Sequence, residues 1–134
     1  MYIEIKHSRY RKTILSGEFS SLREALEKNK GIDHRGADMT GAKLCGADLR
    51  GANLYRAFLF CANLRGAVLC GADMRYANLR RADLRGADLT DADLRDSDLT
   101  DAKLRGAKLT GVKLRGADLT GVIMSDANFE GTEN

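Results

Sequence analysis

The side chains that could do chemistry in this 134-residue chain are two histidines, three cysteines and many aspartates. His7 and His34 have no Glu or Cys at the spacing of metal ligands, and Cys45, Cys61 and Cys70 lack ligand spacing too. We predict that both histidines are solvated and that the cysteines are reduced thiols. No GxGxxG motif opens a helix that could hold a phosphate. The sequence therefore predicts no enzyme, no metal site and no cofactor.

Most of the aspartates belong to a five-residue repeat that runs without a slip from Ala37 to Gly131. Each of the nineteen units reads small, polar, large apolar, polar and turn, with central residues at 39, 44 and so on to 129. Leu occupies fifteen centres, Ala stands two residues before sixteen of them, and Asp or Asn precedes twelve. We expect these carboxylates and amides to accept hydrogen bonds from backbone donors near a turn, rather than to act in catalysis.

A five-residue period fits neither an amphipathic helix nor a plain strand. Within one unit, however, Ala and Leu are two residues apart, so both point to the same side of a short extended segment. The fifth position is Gly in eleven units, which permits the backbone angles of a corner. Four corners close a square of twenty residues, and stacked squares bond like parallel strands about 4.8 Å apart. The sequence predicts an all-β solenoid.

The run A(D/N)LxG resembles the pentapeptide-repeat proteins, and the resemblance covers nearly three quarters of the chain. It implies a right-handed quadrilateral β-helix in residues 37–134, with Leu and Ala inward and nearly five coils.

Residues 1–36 have a different pattern. YIEIKH and TIL read as two strands of a hairpin, and SSLREALEKNKG reads as a short helix with a capping box from Ser21 to Glu24. We expect this small α+β segment to cap the first coil, whose open edge otherwise invites pairing with another chain.

The outward position after each centre forms two columns of arginine when residues twenty apart are aligned. Such columns are either a surface for an anion or acidic partner, or a solvated face that neighbouring aspartates balance. The columns are Arg65, Arg85 and Arg105 on one wall, and Arg75, Arg95 and Arg115 on the opposite wall.

An apolar interruption in the second coil supplies a candidate interaction patch, which consists of Tyr55, Phe58, Phe60 and Val68. Exposed aromatic groups of this size indicate that something lies against them. Two alternatives stand: the phenylalanine pair docks another copy of the chain or a different protein, or the N-terminal segment covers it. The second alternative would use Ile3, Ile5, Ile14 or Leu15.

These patterns predict a non-enzymatic scaffold that binds an unknown protein. The last coil leaves two alternatives, a monomer and a homodimer joined through the C-terminal coil. The family resemblance implies a second function, which is to bind DNA gyrase by mimicking DNA. Residues 37–134 hold fourteen Lys/Arg and fourteen Asp/Glu, and this neutral balance favours neither DNA mimicry nor nucleic-acid binding. With no apolar run of about 18 residues and no leader, we predict a cytoplasmic protein without a membrane span.

Overall fold

Stacked coils of twenty residues make up most of the molecule. In this computed structural model, which describes residues 2–7, 13–18, 21–29 and 33–132, parallel bridges join residues twenty apart. The bridges run from Asp38–Phe58 to Lys108–Asn128. Four five-residue units therefore complete one turn, and the chain forms the predicted right-handed quadrilateral β-helix.

The four faces of the β-helix are named here after the central residues of the first coil. Face 1 begins with Met39, face 2 with Leu44, face 3 with Leu49 and face 4 with Leu54, and each later coil adds a residue twenty further on. Face 1 is thus opposite face 3. The Leu and Ala positions point inward as predicted and are buried from the first coil to Leu114.

Backbone hydrogen bonds join each coil to the next. The Leu59 N–H donates to the Asn78 carbonyl at 2.8 Å, and the Ala62 N–H donates to the Leu59 carbonyl at 3.0 Å across the corner. The residue before each centre supports the corner, because its side-chain oxygen accepts the N–H two residues later, as Asn63 does from Arg65 at 3.2 Å. The role that we expected for the repeat's aspartates and asparagines is confirmed.

Three elements precede the β-helix. Strands β1 (Tyr2–Lys6) and β2 (Thr13–Glu18) form an antiparallel pair, and helix α1 spans Leu22–Lys28. Ser21 is the N-cap of α1, and its hydroxyl accepts the Glu24 N–H at 3.1 Å. This bond is one half of the capping box that the sequence indicated.

These elements supply acceptors to the first coil. In later coils the N–H before each centre donates to a carbonyl one coil earlier, as Val68 does to Ala47 at 2.9 Å. In the first coil, the Asp38 N–H donates to the Lys6 carbonyl at 2.9 Å, and the Asp48 N–H donates to the Glu27 carboxylate at 3.0 Å. The bond from Asp48 is the main reason that the pKa of Glu27 is lowered.

His34 is buried, and the prediction that it is solvated was wrong. It occupies the place of a central Leu and is only 1% exposed. Its unit follows the repeat pattern, since the Gly36 N–H donates to the Tyr55 carbonyl at 2.8 Å and the Arg35 N–H donates to Asp33 Oδ1 at 3.0 Å. The sequence DHRG is therefore a further repeat unit, which the pattern of large apolar centres did not reveal because His34 is polar.

The environment of His34 favours the neutral imidazole. Burial lowers its pKa, against a smaller opposing effect of a hydrogen bond with the Asn29 backbone. Within the described residues, its Nδ1 atom is buried without a hydrogen-bond partner. A cavity of about 10 Å³, which is room for one water at most, adjoins the ring. The charged groups that line it, Asp48 and Arg50, pair with each other at 2.9 Å.

We expect His34 to make the stability of the protein depend on pH. Because its folded-state pKa lies below the unfolded value of 6.5, the unfolded chain binds more protons at mildly acidic pH. The contribution of neutral His34 to the free energy of unfolding is complete above the unfolded pKa of 6.5 and is lost as the pH falls below it. The free energy of unfolding in urea should drop by about 1 kcal/mol from pH 7.5 to 5.5, and His34→Leu should remove that drop. Equal slopes for both proteins would contradict a buried neutral histidine.

Candidate interaction site

Four aromatic side chains lie on face 1, on the corner that it shares with face 4, and on the adjoining part of face 4. This aromatic patch consists of Tyr55, Phe58, Phe60 and Tyr76. Phe58 is 41% exposed and Tyr76 is 48% exposed, while Tyr55 and Phe60 are half-buried. The patch is rigidly held, because the Phe58 N–H and carbonyl bond to Ala37 and Met39 of the preceding coil. Its neighbours Ala57 and Leu59 bond to Asn78 of the following coil.

An arginine organises the corner of the aromatic patch. The Tyr55 and Tyr76 rings meet edge to face with their centroids 5.5 Å apart. The Arg56 guanidinium lies 5.3 Å from the Tyr55 centroid and 5.5 Å from the Tyr76 centroid, and Arg75 lies 5.4 Å from the Tyr55 centroid. These cation–π contacts favour this arrangement of both rings and of Arg56.

The patch in the structure consists partly of other residues than the sequence predicted. Val68 lies on face 3, between Asp48 and Asp88 of the adjacent coils, and does not join the other three residues. Arg56 and Tyr76 belong to the patch and were missed. The signal that could have revealed them is the twenty-residue period, which places both on one corner in successive coils.

Strand β1 reaches face 1 one coil before the aromatic patch. His7 pairs with Ala37 in an antiparallel bridge, beside the bond from Asp38 to Lys6. The prediction that N-terminal residues cover the two phenylalanines falls partly outside the described residues. This is the case for the side chains of Ile3, Ile14 and Leu15, whereas the side chain of Ile5 is buried in the core.

The corners that border face 1 carry side chains where most other corners have glycine. Eight non-glycine residues of the described chain have a positive φ, a conformation that costs most side chains about 1–2 kcal/mol and that Asp adopts more readily. Six of the eight border face 1, and all six are exposed. They are Arg56, Tyr76 and Asp96 on the corner with face 4, and Cys61, Arg81 and Asp101 on the corner with face 2. Such strain persists only where the surrounding structure imposes it, and it clusters at functional sites.

Three of the six arginines in the predicted columns pair with an aspartate of their own repeat unit. Arg75 donates to Asp73, two residues earlier, through Nε at 2.8 Å and Nη2 at 2.7 Å. Arg85 with Asp83 and Arg95 with Asp93 adopt the same bidentate geometry. These bonds are the largest cause of the lowered pKa of the three aspartates.

The other three column residues lack an aspartate at that position. Asn63, Lys103 and Lys113 stand two residues before Arg65, Arg105 and Arg115. Arg105 lies 3.5 Å from Asp126, and no carboxylate of the described residues pairs with Arg65 or Arg115. An anion-binding role of the columns stays a prediction, and it now concerns these three arginines.

The charges of the β-helix are segregated along its axis. Residues 42–86 hold eight Lys/Arg and three Asp, for a net charge of +5. Residues 87–101 hold one Arg and six Asp, for a net charge of −5, and residues 102–116 hold five Lys/Arg and no acid. The aromatic patch lies within the first, basic segment. The overall neutrality of the repeats therefore conceals a local excess of positive charge around the patch.

The described residues contain neither a metal-binding cluster nor a helix that could span a membrane. No group of three His, Cys, Asp or Glu side chains is arranged there to hold a metal ion. None of the helical segments there has the length and apolar character needed to cross a bilayer.

Introducing glycine at a face 1 corner and removing it from a neighbouring corner should measure the strain of a positive φ. Cys61 has a φ of 56°, and Gly66 on the next corner has a φ of 62° with no described atom within 4 Å of the place where a Cβ would lie. We expect Cys61→Gly to stabilise the protein by about 1 kcal/mol, and Gly66→Cys to destabilise it by a similar amount. Thermal unfolding by circular dichroism measures both variants. Changes of the same sign would show that the positive φ does not govern stability here.

Comparison with known proteins agrees with the geometry. The family model for Pentapeptide repeats matches residues 30–59, 62–101 and 97–133. The pentapeptide repeat protein Rfr23 of the cyanobacterium Cyanothece 51142 is 32% identical, with a TM-score of 0.51, over 72% of this chain and 66% of its own. A pentapeptide repeat protein of the Arabidopsis thaliana thylakoid lumen is 32% identical, with a TM-score of 0.45, over 75% of this chain and 63% of its own.

The plasmid-mediated fluoroquinolone resistance protein QnrB1 is 18% identical, with a TM-score of 0.43, over 71% of this chain and 54% of its own. The chain thus spans between about half and two thirds of the length of these structures. A search of curated proteins found no match. The family match, together with the twenty-residue coils, shows that the chain belongs to the pentapeptide-repeat family.

Proposed function

We propose that this chain is a non-enzymatic scaffold that binds another protein through the aromatic patch on face 1. One observation carries the proposal: four of the five aromatic residues in the repeats lie on this one surface, and two of them are exposed. The fifth, Phe129, lies in the last coil. Aromatic residues dominate the energetics of protein interfaces because they bury much apolar area at a small cost in side-chain entropy.

The rigidity of the β-helix supports a role in binding. The middle segments of face 1 are hydrogen-bonded to the coils on both sides, so few degrees of freedom are lost when a partner docks. The cation–π contacts of Arg56 add to this preorganisation, since they favour this arrangement of Tyr55 and Tyr76 before any partner binds.

The chemistry of the polar residues supports a scaffold rather than an enzyme. The repeat's carboxylates accept bonds from backbone donors and arginines of their own units, which leaves them poorly suited to proton transfer. Burial raises the pKa of the Cys70 thiol, which disfavours the reactive thiolate. The three free thiols agree with a reducing compartment, and we expect the cytoplasm.

We also infer that the N-terminal segment caps the first coil. Its acceptors Lys6 and Glu27 take the place of the carbonyls that a preceding coil would supply to Asp38 and Asp48. Capping by this segment would block pairing of the first coil with another chain.

Gyrase binding by DNA mimicry stays the alternative. A mimic of DNA needs a predominantly negative surface, whereas residues 42–86 carry a net charge of +5. A gyrase supercoiling assay with and without a quinolone would test this alternative, and unchanged supercoiling in both would eliminate it.

Affinity capture from a lysate of the source cell tests the proposed function. The double variant Phe58→Glu/Phe60→Glu places two charges on the patch, and it should lose a partner that the wild type retains. Ile123→Glu is the matched control, because it removes another exposed apolar residue from the same position of the repeat on face 2. It should retain the partner. Circular dichroism checks that all three proteins are folded.

Two results would contradict the proposal. The first is capture of the same proteins by the wild type and the double variant. The second is a folded double variant that has lost several kcal/mol of stability while neither protein captures anything, because the phenylalanines would then be internal packing.

The homodimer through the C-terminal coil stays a separate prediction. Phe129 is exposed on the last described coil and offers an apolar surface. If this surface forms a dimer, the wild type should sediment as a dimer at micromolar concentration and Phe129→Glu as a monomer. Monomeric wild type would contradict it.

A further inference from the structure

The cations around the aromatic patch indicate the chemistry of the partner. We propose that the bound segment is an acidic peptide with at least one apolar side chain, an inference that rests on the proposed function. It lies over the basic half of face 1, which consists of Arg56, Phe58, Phe60, Tyr76, Arg80 and Arg81. This basic half is bordered by the exposed carboxylate of Asp38 in the first coil and, in the later coils, by an acidic half. The acidic half of the same face consists of Asp96, Asp98, Asp101 and Asp118.

Arg56 is the first cation available to a partner. Among the described residues, no carboxylate pairs with it, and its charge is balanced only by the faces of two tyrosine rings. A guanidinium that stacks on a ring keeps its edge N–H groups free, and these form bidentate bonds with a carboxylate. Arg56 is exposed and therefore presents a preorganised carboxylate site next to Phe58.

Arg80 and Arg81 supply the second cationic position. Their nearest carboxylates are Asp98 at 3.9 Å and Asp101 at 3.8 Å, which is beyond hydrogen-bond distance. Arg75, by contrast, is clamped by its own aspartate at 2.7 and 2.8 Å. Arg80 has no such bidentate pair because Asn78, not an aspartate, stands two residues before it. The Asn78 side-chain oxygen accepts only the backbone N–H of Arg80. The guanidinium donors of both arginines remain available to a partner.

The corner side chains define how a peptide would lie. Arg56 and Tyr76 border the basic half on one side, and Cys61 and Arg81 border it on the other. All four are exposed and have a positive φ. An extended segment between these borders would run along the axis of the β-helix, with its apolar side chains on Phe58 and Phe60.

The acidic half limits the class of partner. The carboxylates of Asp96, Asp98 and Asp101 begin one coil beyond Arg80, at a rise of about 4.8 Å. A nucleic-acid strand would extend its phosphates onto them and be repelled. A peptide can confine its acidic residues to the basic half, so the charge pattern favours a peptide.

Selection from a phage-displayed library of random twelve-residue peptides tests this inference. Peptides retained by the wild type should be enriched in Asp and Glu beside aromatic or aliphatic residues. For the best synthetic peptide, Arg80→Gln/Arg81→Gln should raise Kd about tenfold, because each exposed ion pair contributes a few-fold. Asp98→Asn/Asp101→Asn is the matched control of opposite sign, and it should leave Kd unchanged or lower it. Raising the salt concentration should weaken the wild-type complex.

Three results would overturn the inference. They are enrichment of basic or uncharged peptides, no enrichment at all, and binding of a single-stranded oligo-dT probe in place of acidic peptides. None of these decides the proposed function, whose test is capture from the lysate and its loss in Phe58→Glu/Phe60→Glu. A partner captured through the phenylalanines but insensitive to Arg80→Gln/Arg81→Gln would leave the proposed function intact and reject the acidic partner.

Discussion

The twenty-residue register of the backbone hydrogen bonds is the constraint on which the rest of the structure depends. Each coil bonds to the next through groups such as the Leu59 N–H and the Asn78 carbonyl. Because side chains in an extended segment alternate between two sides, a slip of one residue would turn Leu outward and its polar neighbours inward. The constant five-residue unit prevents this. It also aligns every outward side chain with the residue twenty positions away, which brings Arg56 and Tyr76 together.

The fold could be predicted from the sequence because the same five-residue pattern of small, polar and large apolar residues recurs nineteen times. The interaction site was only partly predictable. Phe58 and Phe60 stand out because they replace polar residues beside a Leu centre, but the corner residues Arg56 and Tyr76 give no such signal. Their contact depends on a positive φ that glycine usually provides. The unit centred on His34 was not predicted for another reason. Its centre is polar and breaks the apolar pattern, although the flanking residues Asp33, Arg35 and Gly36 follow the repeat.

The choice between Asp and Asn before a centre sets the electrostatic character of each face. An aspartate in this position bonds the backbone and neutralises an arginine two residues later, as Asp73 does for Arg75. An asparagine retains the backbone bond and releases the arginine, as Asn78 does for Arg80. The corner is therefore stable with either residue. Whether the residue is a carboxylate or an amide decides whether the arginine pairs within its own unit or is available to other groups. This separation lets the surface vary without a cost to the core.

The location of backbone strain argues that face 1 differs from the other faces for a reason beyond stability. Glycine at a corner satisfies the positive φ without strain, and the corners beside face 3 use it almost throughout. The corners beside face 1 instead hold Cys61, Tyr76 and other side chains, most of them at a cost of about 1–2 kcal/mol each. The many bonds between coils can offset this cost, but they do not explain it. Side chains that strain the backbone and remain exposed contribute little to the core, which agrees with the proposed contact of this face with a partner.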